Sequence, residues 1–252
     1  MTCYRVAIPT LNRVKELGEK TLRTLELHGI PRDIIDIFVA NEEQEGLYRA
    51  EYPEYNIVRG IIGKRAISNF IFQEYYAEGQ YIVHFDDDIE AIRRAPPDLD
   101  RWSDDGSWSL RDEIDIAFSA CEKSSRNLWG VYTCVNLLFM KNQDRISTDY
   151  KFCGGWMFGT INKRSANKCL IGDGCIDDYE RCIRHYLADG GIVRLNYICC
   201  KTKYGNPEGG IGSIQGRARQ ESLDQLKESF PGLFYLKRKK DGQQNPILKD
   251  MR

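Results

Sequence analysis

Several sequence patterns that mark common classes of protein are missing from this chain. Its 9 cysteines include no C-x-x-C pair, so their spacing fits no zinc site, and we expect free thiols in a reducing compartment. The 36 Lys and Arg balance 37 Asp and Glu, so no overall positive charge indicates nucleic acid as a partner. No apolar run approaches the roughly eighteen residues of a membrane span, and the N-terminus shows no signal-sequence pattern. We therefore expect a soluble cytoplasmic protein without a membrane partner, in a cell or, for a phage or viral protein, in its host.

The chain does contain apolar segments that alternate between two periods. Four short runs rich in β-branched residues predict strands, and three segments with apolar residues at helical spacing predict helices between them. The strands are predicted over residues 4–10, 33–40, 56–60 and 81–85, and the helices over 12–29, 42–52 and 64–79. Asn12 is the expected N-cap of the first helix and Gly29 its end. This order predicts an α/β fold, with a mainly parallel sheet covered by helices on both faces.

Beyond residue 92 the pattern is less regular. A stretch rich in Pro, Asp and Ser over 93–109 predicts a loop, and Ser109 with Asp112 predicts a capping box for the next helix. Further elements are predicted as helices over 110–124, 177–191 and 217–230, strands over 129–140, 153–163 and 192–200, and a Gly-rich loop over 203–216. Neither a repeat nor a linker divides the sequence, so we expect one domain over 1–252 that ends in a basic tail over 231–252.

The most informative stretch is YIVHFDDD, in which an apolar strand is followed at once by three acids. In open α/β sheets ligands bind at the carboxyl ends of the strands, where Asp86, Asp87 and Asp88 are expected to lie. Three adjacent carboxylates repel one another unless a cation compensates them, and Mg²⁺ or Mn²⁺ prefers such oxygen ligands. Alternate residues of an extended segment face one side, so Asp86 and Asp88 are expected to share one ion while Asp87 points away. The alternative is solvated charge at the end of a strand, or an N-cap for the next helix.

This stretch resembles the D-x-D signature of GT-A glycosyltransferases, whose acids hold the metal that bridges the donor's diphosphate. The resemblance implies a GT-A fold with a mixed central sheet, in which 1–92 form a Rossmann-like nucleotide-binding half and 93–230 an acceptor-binding half. It also implies a UDP-sugar as donor and Mn²⁺ or Mg²⁺ as cofactor.

Two further segments are similar to the same family. VAIPTLNR over 6–13 resembles its opening strand and nucleoside-contacting loop, and GKRAISN over 63–69 resembles a turn and helix start near the nucleotide, with Ser68 in place of the usual arginine. The alternative for residues 9–13 is an ordinary turn with an N-cap. The alternative for Lys64 and Arg65 is a solvated first helical turn. The donor-binding residues that the resemblance implies are Pro9, Thr10, Asn12, Arg13, Asn41, Lys64, Arg65, Asn69, Asp87, Gly209 and Gly210.

A second acidic pair, Asp177 and Asp178, opens a predicted helix. It resembles the x-E-D segment of inverting GT-A enzymes, in which a carboxylate deprotonates the acceptor hydroxyl as it attacks the anomeric carbon. Asp178 is the better match for this base, and Asp177 is the reserve. The alternative is acidic charge that interacts well with the helix dipole. The preceding FCGGWMFG matches the family's glycines and aromatic, which implies acceptor binding by Gly154, Gly155 and Trp156; a tryptophan in a strand is otherwise a core residue.

The metal ligands beyond Asp86 and Asp88 stay open. Many relatives use a late histidine as the third ligand. Here the three histidines are His28, His84 and His185, and none of them follows the predicted base in a loop.

Taken together, VAIPTLNR, HFDDD, DDYE and the GGIGS segment resemble the TET/JBP-associated glycosyltransferases of phages, other viruses and some eukaryotes. That resemblance implies a hydroxymethylated pyrimidine in DNA as the acceptor and glucose as the sugar. Trp102, Trp108 and Trp156 would then stack on an extruded base. The basic residues that would follow the DNA backbone, and are otherwise plain surface, are Lys163, Arg164, Lys201, Lys203, Arg217, Arg219 and residues 237–240.

Two other functions fit the residues. One is a GT-A enzyme that acts on a protein or glycan. The other is a non-catalytic or nucleotidyltransferase-like relative, although such proteins usually carry a Gly-rich phosphate loop straight after the first strand, and IPTLNRVKELG lacks it.

Overall fold

The computed structural model describes residues 2–95, 107–140, 143–172, 176–202, 217–238, 242 and 244–249. The strands are β1 Tyr4–Pro9, β2 Ile35–Val39, β3 Asn56–Arg59, β4 Tyr81–Phe85, β5 Ile89–Arg94, β6 Leu128–Tyr132, β7 Ile146–Ser147, β8 Met157–Ile161, β9 Val193–Thr202, β10 Phe234–Arg238 and β11 Gln244–Leu248. The α-helices are α1 Val14–Leu17, α2 Arg23–Leu27, α3 Glu42–Glu51, α4 Lys64–Asn69, α5 Leu110–Ser124, α6 Arg164–Asn167, α7 Asp177–Asp189 and α8 Arg217–Ser229. A π-helical turn, Gly18–Leu22, joins α1 to α2, and another, Phe70–Tyr75, extends α4.

Nine of these strands form one central sheet in the order β3-β2-β1-β4-β8-β6-β9-β5, with β7 paired to β9. The strands β1 to β4 run parallel to one another, as the sequence predicts. β8 is antiparallel to both β4 and β6, and β5 and β7 are antiparallel to β9. The sheet is therefore mixed. β4, which carries the acids at its end, is the last strand of the parallel half and lies near the middle of the whole sheet. The antiparallel strand β8 pairs directly with β4.

Helices cover both faces of the sheet because successive side chains of each strand point to opposite sides. On one face Val6 and Ile8 of β1 pack in a core with Leu25 of α2 and Phe118 of α5. On the other face Ala7 packs in a second core to which α4, α7 and α8 contribute. The expected α/β fold with two covered faces is confirmed. The eight cysteines in the described part of the chain are free thiols, also as expected. None of the helices in these residues is both long and apolar enough to cross a membrane.

The strand β5 falls partly in the segment that the sequence predicts as a loop over 93–109. Its pairing with β9 shifts register between Ile89 and Ala91, which is a β-bulge or irregularity. The buried positions are consequently Ile89 and Ile92, three residues apart, rather than alternate residues. A strand interrupted in this way loses its period of two, so the pattern gave no sign of it.

The segment predicted as a basic tail contains a two-stranded antiparallel sheet of β10 and β11. Phe234 is buried in the second core, whereas its neighbour Tyr235 is exposed. Buried and exposed positions alternate at the start of FYLKR. The basic residues that follow led to the prediction of a tail rather than a strand. A strand was also predicted over 129–140; the structure ends it at Tyr132, and a 3₁₀ turn, Leu137–Phe139, follows.

Gly159 of β8 is the tightest point of the sheet that a substitution can test. A Cβ there would lie 2.2 Å from Cε2 and Nε1 of Trp129, which is fully buried. We expect Gly159→Ala to lower the free energy of unfolding by about 2 kcal/mol, because the Trp129 ring has to move inside a packed core. Urea denaturation followed by circular dichroism measures this.

The matched control is Gly46→Ala in α3, where a Cβ meets nothing within 4 Å. It should stabilise the protein by about 0.5–1 kcal/mol, because alanine favours the helix. Equal stability of the two variants would show that Trp129 is not held against β8 as described.

Candidate active site

The three acids after β4 divide into two environments. Asp87 is buried, whereas Asp86 and Asp88 are partly exposed, as the predicted alternation requires. The amide of Asp86 donates to the carbonyl of Trp156 at 2.9 Å, which continues the pairing of β4 with β8. This antiparallel pairing brings the Gly154–Trp156 segment alongside the acids.

Asp87 ties the loop after β1 to the end of β4. Its carboxylate accepts hydrogen bonds of 2.8 Å from the Thr10 hydroxyl and from Nη1 of Arg13. The hydroxyls of Thr10 and Tyr48 lie 2.9 Å apart. Thr10 and Asp87 are both buried, so their side chains hold the loop in position. Nη1 of Arg13 also lies 3.5 Å from Oδ2 of Asp88, and one arginine thus spans two of the three acids.

Two predicted donor-binding asparagines meet on Gln44 at the ends of β1 and β2. The side-chain Oδ1 of Asn12 accepts from Nε2 of Gln44 at 2.6 Å, and the backbone N–H of Asn12 donates to Oε1 of Gln44 at 3.0 Å. The side chain of Asn41 accepts from the Gln44 amide and caps α3. Asn12 is not the N-cap of the first helix, which begins at Val14. It has φ 55°, a left-handed conformation that asparagine tolerates, and this conformation turns the chain before the helix starts.

Lys64, the first residue of α4, links the two acidic segments. Its Nζ lies 3.8 Å from Oδ1 of Asp86. Burial lowers the pKa of Lys64, but the charges of Asp177, Asp86 and Asp178 outweigh burial and raise that pKa above its ordinary value. Acids of both HFDDD and DDYE, about 90 residues apart in the sequence, therefore act on the charge of one ammonium group, whose described contact is with Asp86.

The other two predicted residues of α4 contact the chain around residue 170. Nη1 of Arg65 donates to the carbonyl of Leu170 at 3.4 Å. The Asn69 amide donates to the carbonyl of Cys169 at 2.9 Å and accepts from its N–H at 2.8 Å. Asn69 thus holds the backbone that leads toward α7, and its side chain is engaged there. Contact of Asn69 and Arg65 with a donor stays a prediction.

Asp177 and Asp178 lie in the first turn of α7 but differ in environment. Oδ2 of Asp177 lies 3.5 Å from Nη2 of Arg181. Burial raises the pKa of Asp177, but Lys64 and Arg181 outweigh it and bring the pKa below its usual range. Asp178 accepts only the local Tyr179 amide, at 2.8 Å, among the hydrogen bonds that the structure gives it. Burial, and then the charge of Asp177, raise the pKa of Asp178 to about 7.

The chain passes close to this pair at the glycines before β8. A Cβ on Gly155 would lie 3.8 Å from the Cβ of Asp178, so Gly155 is the closest backbone neighbour of the predicted base among the glycines. A Cβ on Gly154 would lie 2.3 Å from the Trp156 ring. Trp156 is half-buried against the first core, and its Nε1 is buried without a hydrogen-bond partner in the described part of the chain. It is therefore neither a plain core residue nor an open platform.

Glu180 is a structural residue of the site that no pattern in the sequence singles out. It is 1% exposed, and its carboxylate accepts from the amides of Leu170 and Ile171 at 2.9 and 3.0 Å. Together with Asn69 it fixes residues 169–171 between α4 and α7. An acid in the first helical turn looks like ordinary helix-end charge, so only the fold reveals this contact.

A divalent cation fits the end of β4. Burial, and then the charges of Asp86 and Asp87, raise the pKa of Asp88, which shows that the carboxylates repel one another there. Among the described residues no group of three or more His, Cys, Asp or Glu side chains is arranged to hold a metal. The protein thus offers Asp86 and Asp88, and the remaining positions suit water and phosphate oxygens, as Mg²⁺ commonly has them.

Other predicted residues are paired or lie outside the described ranges. Lys163 pairs with Asp189 at 2.8 Å, Lys201 with Glu90 at 3.2 Å, and Arg217 with Glu221 at 2.8 Å. The ring of Trp108 packs 4.7 Å from that of His28. The residues outside the described ranges are Trp102, Lys203, Gly209, Gly210, Lys239 and Lys240.

The structure is similar to solved glycosyltransferases. The mannosyltransferase PcManGT from Pyrobaculum calidifontis, solved with GDP-mannose and Mn²⁺, superposes with a TM-score of 0.51 at 14% identity, over 82% of this chain and 59% of that one. Glucosyl-3-phosphoglycerate synthase from Mycobacterium tuberculosis, solved with Mn²⁺ and UDP-glucose, gives 0.53 at 11% identity, over 97% and 86%. A further complex of that synthase, with phosphoglyceric acid present, gives 0.51 at 10% identity, over 99% and 88%. The chain has the GT-A fold.

The GT-A fold agrees with the expectation from the D-x-D segment. No family model matches the sequence. A search of curated proteins finds no significant match. The narrower resemblance to TET/JBP-associated enzymes therefore stays a prediction. The GT-A chain described here spans less than two thirds of the mannosyltransferase, which is the longer protein.

The division among the three acids predicts opposite results for two alanine substitutions. Asp87→Ala should lower the free energy of unfolding by about 3 kcal/mol, because it leaves the guanidinium of Arg13 and the Thr10 hydroxyl buried without their partner. Asp88→Ala should change it by no more than about 0.5 kcal/mol, since Asp88 is partly exposed and, within the described residues, its ion pair is the 3.5 Å contact with Arg13. Metal-free protein is compared in urea. A loss for Asp88→Ala as large as that for Asp87→Ala would contradict the separate roles.

Proposed function

We propose that this protein is a metal-dependent glycosyltransferase that uses a nucleotide-sugar donor. The observation that carries the proposal is the meeting of two acidic segments on Lys64 at one edge of a GT-A sheet. One segment, Asp86 and Asp88, suits a cation. The other, Asp177 and Asp178, includes a carboxylate suited to proton transfer. Similar GT-A structures were solved with GDP-mannose or UDP-glucose together with Mn²⁺, which supports the same class of donor here.

For the donor we propose a UDP-sugar, with glucose as the sugar. Asp86 and Asp88 would hold Mn²⁺ or Mg²⁺, and this ion would offset the negative charge that develops on the departing diphosphate. The loop from Pro9 to Arg13 lies against the same acids through Asp87, so a nucleoside bound by that loop would have its diphosphate near them. Lys64 adds a positive charge beside Asp86, with Nζ 3.8 Å from Oδ1.

For the base we propose Asp178. Its carboxylate would accept the proton of the acceptor hydroxyl while the hydroxyl oxygen bonds to the anomeric carbon and the bond from that carbon to the diphosphate oxygen breaks. The electron pair of the broken bond leaves with the diphosphate. The hydroxyl would attack the face opposite the departing diphosphate, so the sugar configuration would invert. A base with a pKa of about 7 is suited to this transfer near neutral pH, where much of it is ionised. Gly155 leaves room beside it for an acceptor.

Two substitutions separate donor binding from proton transfer. Asp88→Ala should abolish the Mn²⁺-dependent part of UDP affinity, because it removes one of two protein ligands. Asp178→Asn should leave that affinity within about two-fold and lower turnover at least about 100-fold, as expected for loss of a general base. Calorimetric titration with UDP and Mn²⁺, and release of UDP from UDP-glucose, measure the two effects.

Two results would speak against this assignment. Full turnover of Asp178→Asn would exclude Asp178 as the base. Equal UDP affinity with and without Mn²⁺ in the unmodified protein would favour a non-catalytic nucleotide-binding role.

For the acceptor we propose a hydroxymethylated pyrimidine in DNA. This finer proposal rests on the sequence motifs. The ion pairs of Lys163, Lys201 and Arg217 reduce the positive charge that they can offer to phosphates, so the expected DNA contact is local to the base. A half-buried Trp156 with an unused Nε1–H beside the acids is a suitable contact for such a base.

The acceptor proposal is tested by incubating the protein with Mn²⁺, UDP-glucose and DNA that contains 5-hydroxymethylcytosine or 5-hydroxymethyluracil. We expect a hexose mass increase on the modified nucleoside, and none on matched unmodified DNA. Release of UDP without any change in the DNA would reject this acceptor and favour a protein or glycan, while leaving glycosyl transfer in place.

A further inference from the structure

Arg181 is a buried arginine on the helix that carries the acidic pair. It is 7% exposed and lies one turn after Asp177 on α7. Its guanidinium lies over the ring of Phe158 of β8, 4.1 Å from the ring centroid, which is a cation–π contact. Its Nη2 contacts Asp177 at 3.5 Å, and its Nε is buried with no hydrogen-bond partner among the residues described.

A neighbouring arginine shows that this arrangement is not a requirement of the helix. Arg184 is three residues further on and pairs with Glu180 through Nε at 2.7 Å. Arg181 makes a looser contact and leaves a buried donor unpaired among the described residues, which normally destabilises a fold. A purely structural arginine would be expected to pair as Arg184 does. The position of Arg181 instead suits a charge held beside the acids.

The two acids differ in what faces them. Asp177 has Arg181 as a direct partner, whereas the described contacts of Asp178 include only a backbone amide of its own helix. The charged and titratable groups that face the pair are Lys64 of α4, His84 and Asp86 of β4 and its loop, and Arg181 and Cys182 of α7. The charges of Lys64 and Arg181 act on both acids. The two acids differ in direct contact, because among the described contacts Arg181 reaches Asp177, at 3.5 Å, and not Asp178.

We propose that Arg181 is a positioning residue that pairs with Asp177, keeps it ionised, and leaves Asp178 as the single carboxylate that takes the acceptor's proton. This inference rests on the proposed function in so far as it names an acceptor. The difference between the two acids is a property of the protein alone. Two adjacent carboxylates that share a site repel each other when both are ionised, so the pKa of one of them rises above that of the other. The fixed guanidinium decides which of the two holds the charge.

The test follows the titration of Asp178 by carboxyl ¹³C NMR in protein labelled at aspartate, with Asp178→Asn to assign the signal. The unmodified protein should titrate near pH 7. Arg181→Gln should raise the midpoint by about one pH unit or more, the size expected for loss of an opposite charge within about 4–6 Å. Arg181→Lys, which keeps the charge, should restore most of the shift.

Arg184→Gln is the matched control, because it removes a positive charge from the same helix whose partner is Glu180. It should lower thermal stability and leave the Asp178 midpoint within about 0.3 units, the small effect expected of a more distant charge. If Arg181→Gln does not fold, Asp177→Asn replaces it and should lower the midpoint, since the repelling charge is gone and Arg181 is released to Asp178.

An unmoved midpoint in folded Arg181→Gln, or in Asp177→Asn, would overturn the inference even if sugar transfer is found. A shifted midpoint in a protein without transferase activity would support the role of Arg181 and reject the proposed function. Where activity is present, the rising limb of turnover against pH should move with the NMR midpoint. A merely structural role would lower the amount of active protein without moving that limb.

Discussion

The site depends on the mutual repulsion of five carboxylates at one edge of the sheet. Asp86, Asp87 and Asp88 follow β4, and Asp177 and Asp178 open α7. Brought together without compensation, such groups would take up protons or force the loops apart. In the described part of the chain the compensation comes from Arg13, Lys64 and Arg181, each from a different element. The loop after β1, the start of α4 and the start of α7 are therefore held in relation to one another by charge.

The antiparallel strand β8 supplies the geometry that charge alone does not. It pairs with β4 so that Phe85 lies opposite Met157, and the backbone hydrogen bond from the Asp86 N–H to the Trp156 carbonyl extends that pairing by one residue. The glycines before β8 are thereby carried past the acids of both segments. A parallel strand in this place would enter from the other edge, and the Gly154–Trp156 segment would lie far from the site. The mixed sheet is thus a condition for the site as well as a feature of the fold.

The sequence predicted what depends on local pattern and missed what depends on pairing between distant segments. The elements of the first 90 residues, and the burial of Asp87 between two partly exposed acids, follow from period and alternation. The bulged β5 was missed because its buried residues do not alternate. Asn69 was predicted to contact the donor, which stays a prediction, and Glu180 was not singled out. Both side chains contact the backbone around residue 170, about 100 residues away from Asn69 in the sequence, and no local signal encodes these contacts.

A common arrangement underlies both acidic segments. In each run one acid pairs with an arginine, the buried Asp87 with Arg13 at 2.8 Å and the partly exposed Asp177 with Arg181 at 3.5 Å. Of the acids beside them, Asp88 lies 3.5 Å from Arg13, Asp86 lies 3.8 Å from Lys64, and Asp178 accepts from a backbone amide. Pairing one acid fixes the backbone of each run. Burial, and then the charge of the neighbouring acids, raise the pKa of Asp88 and of Asp178. The proposed metal site at the end of β4 and the proposed base at the start of α7 both rest on this arrangement, in which an arginine fixes one acid of an adjacent set and the repulsion falls on a neighbour.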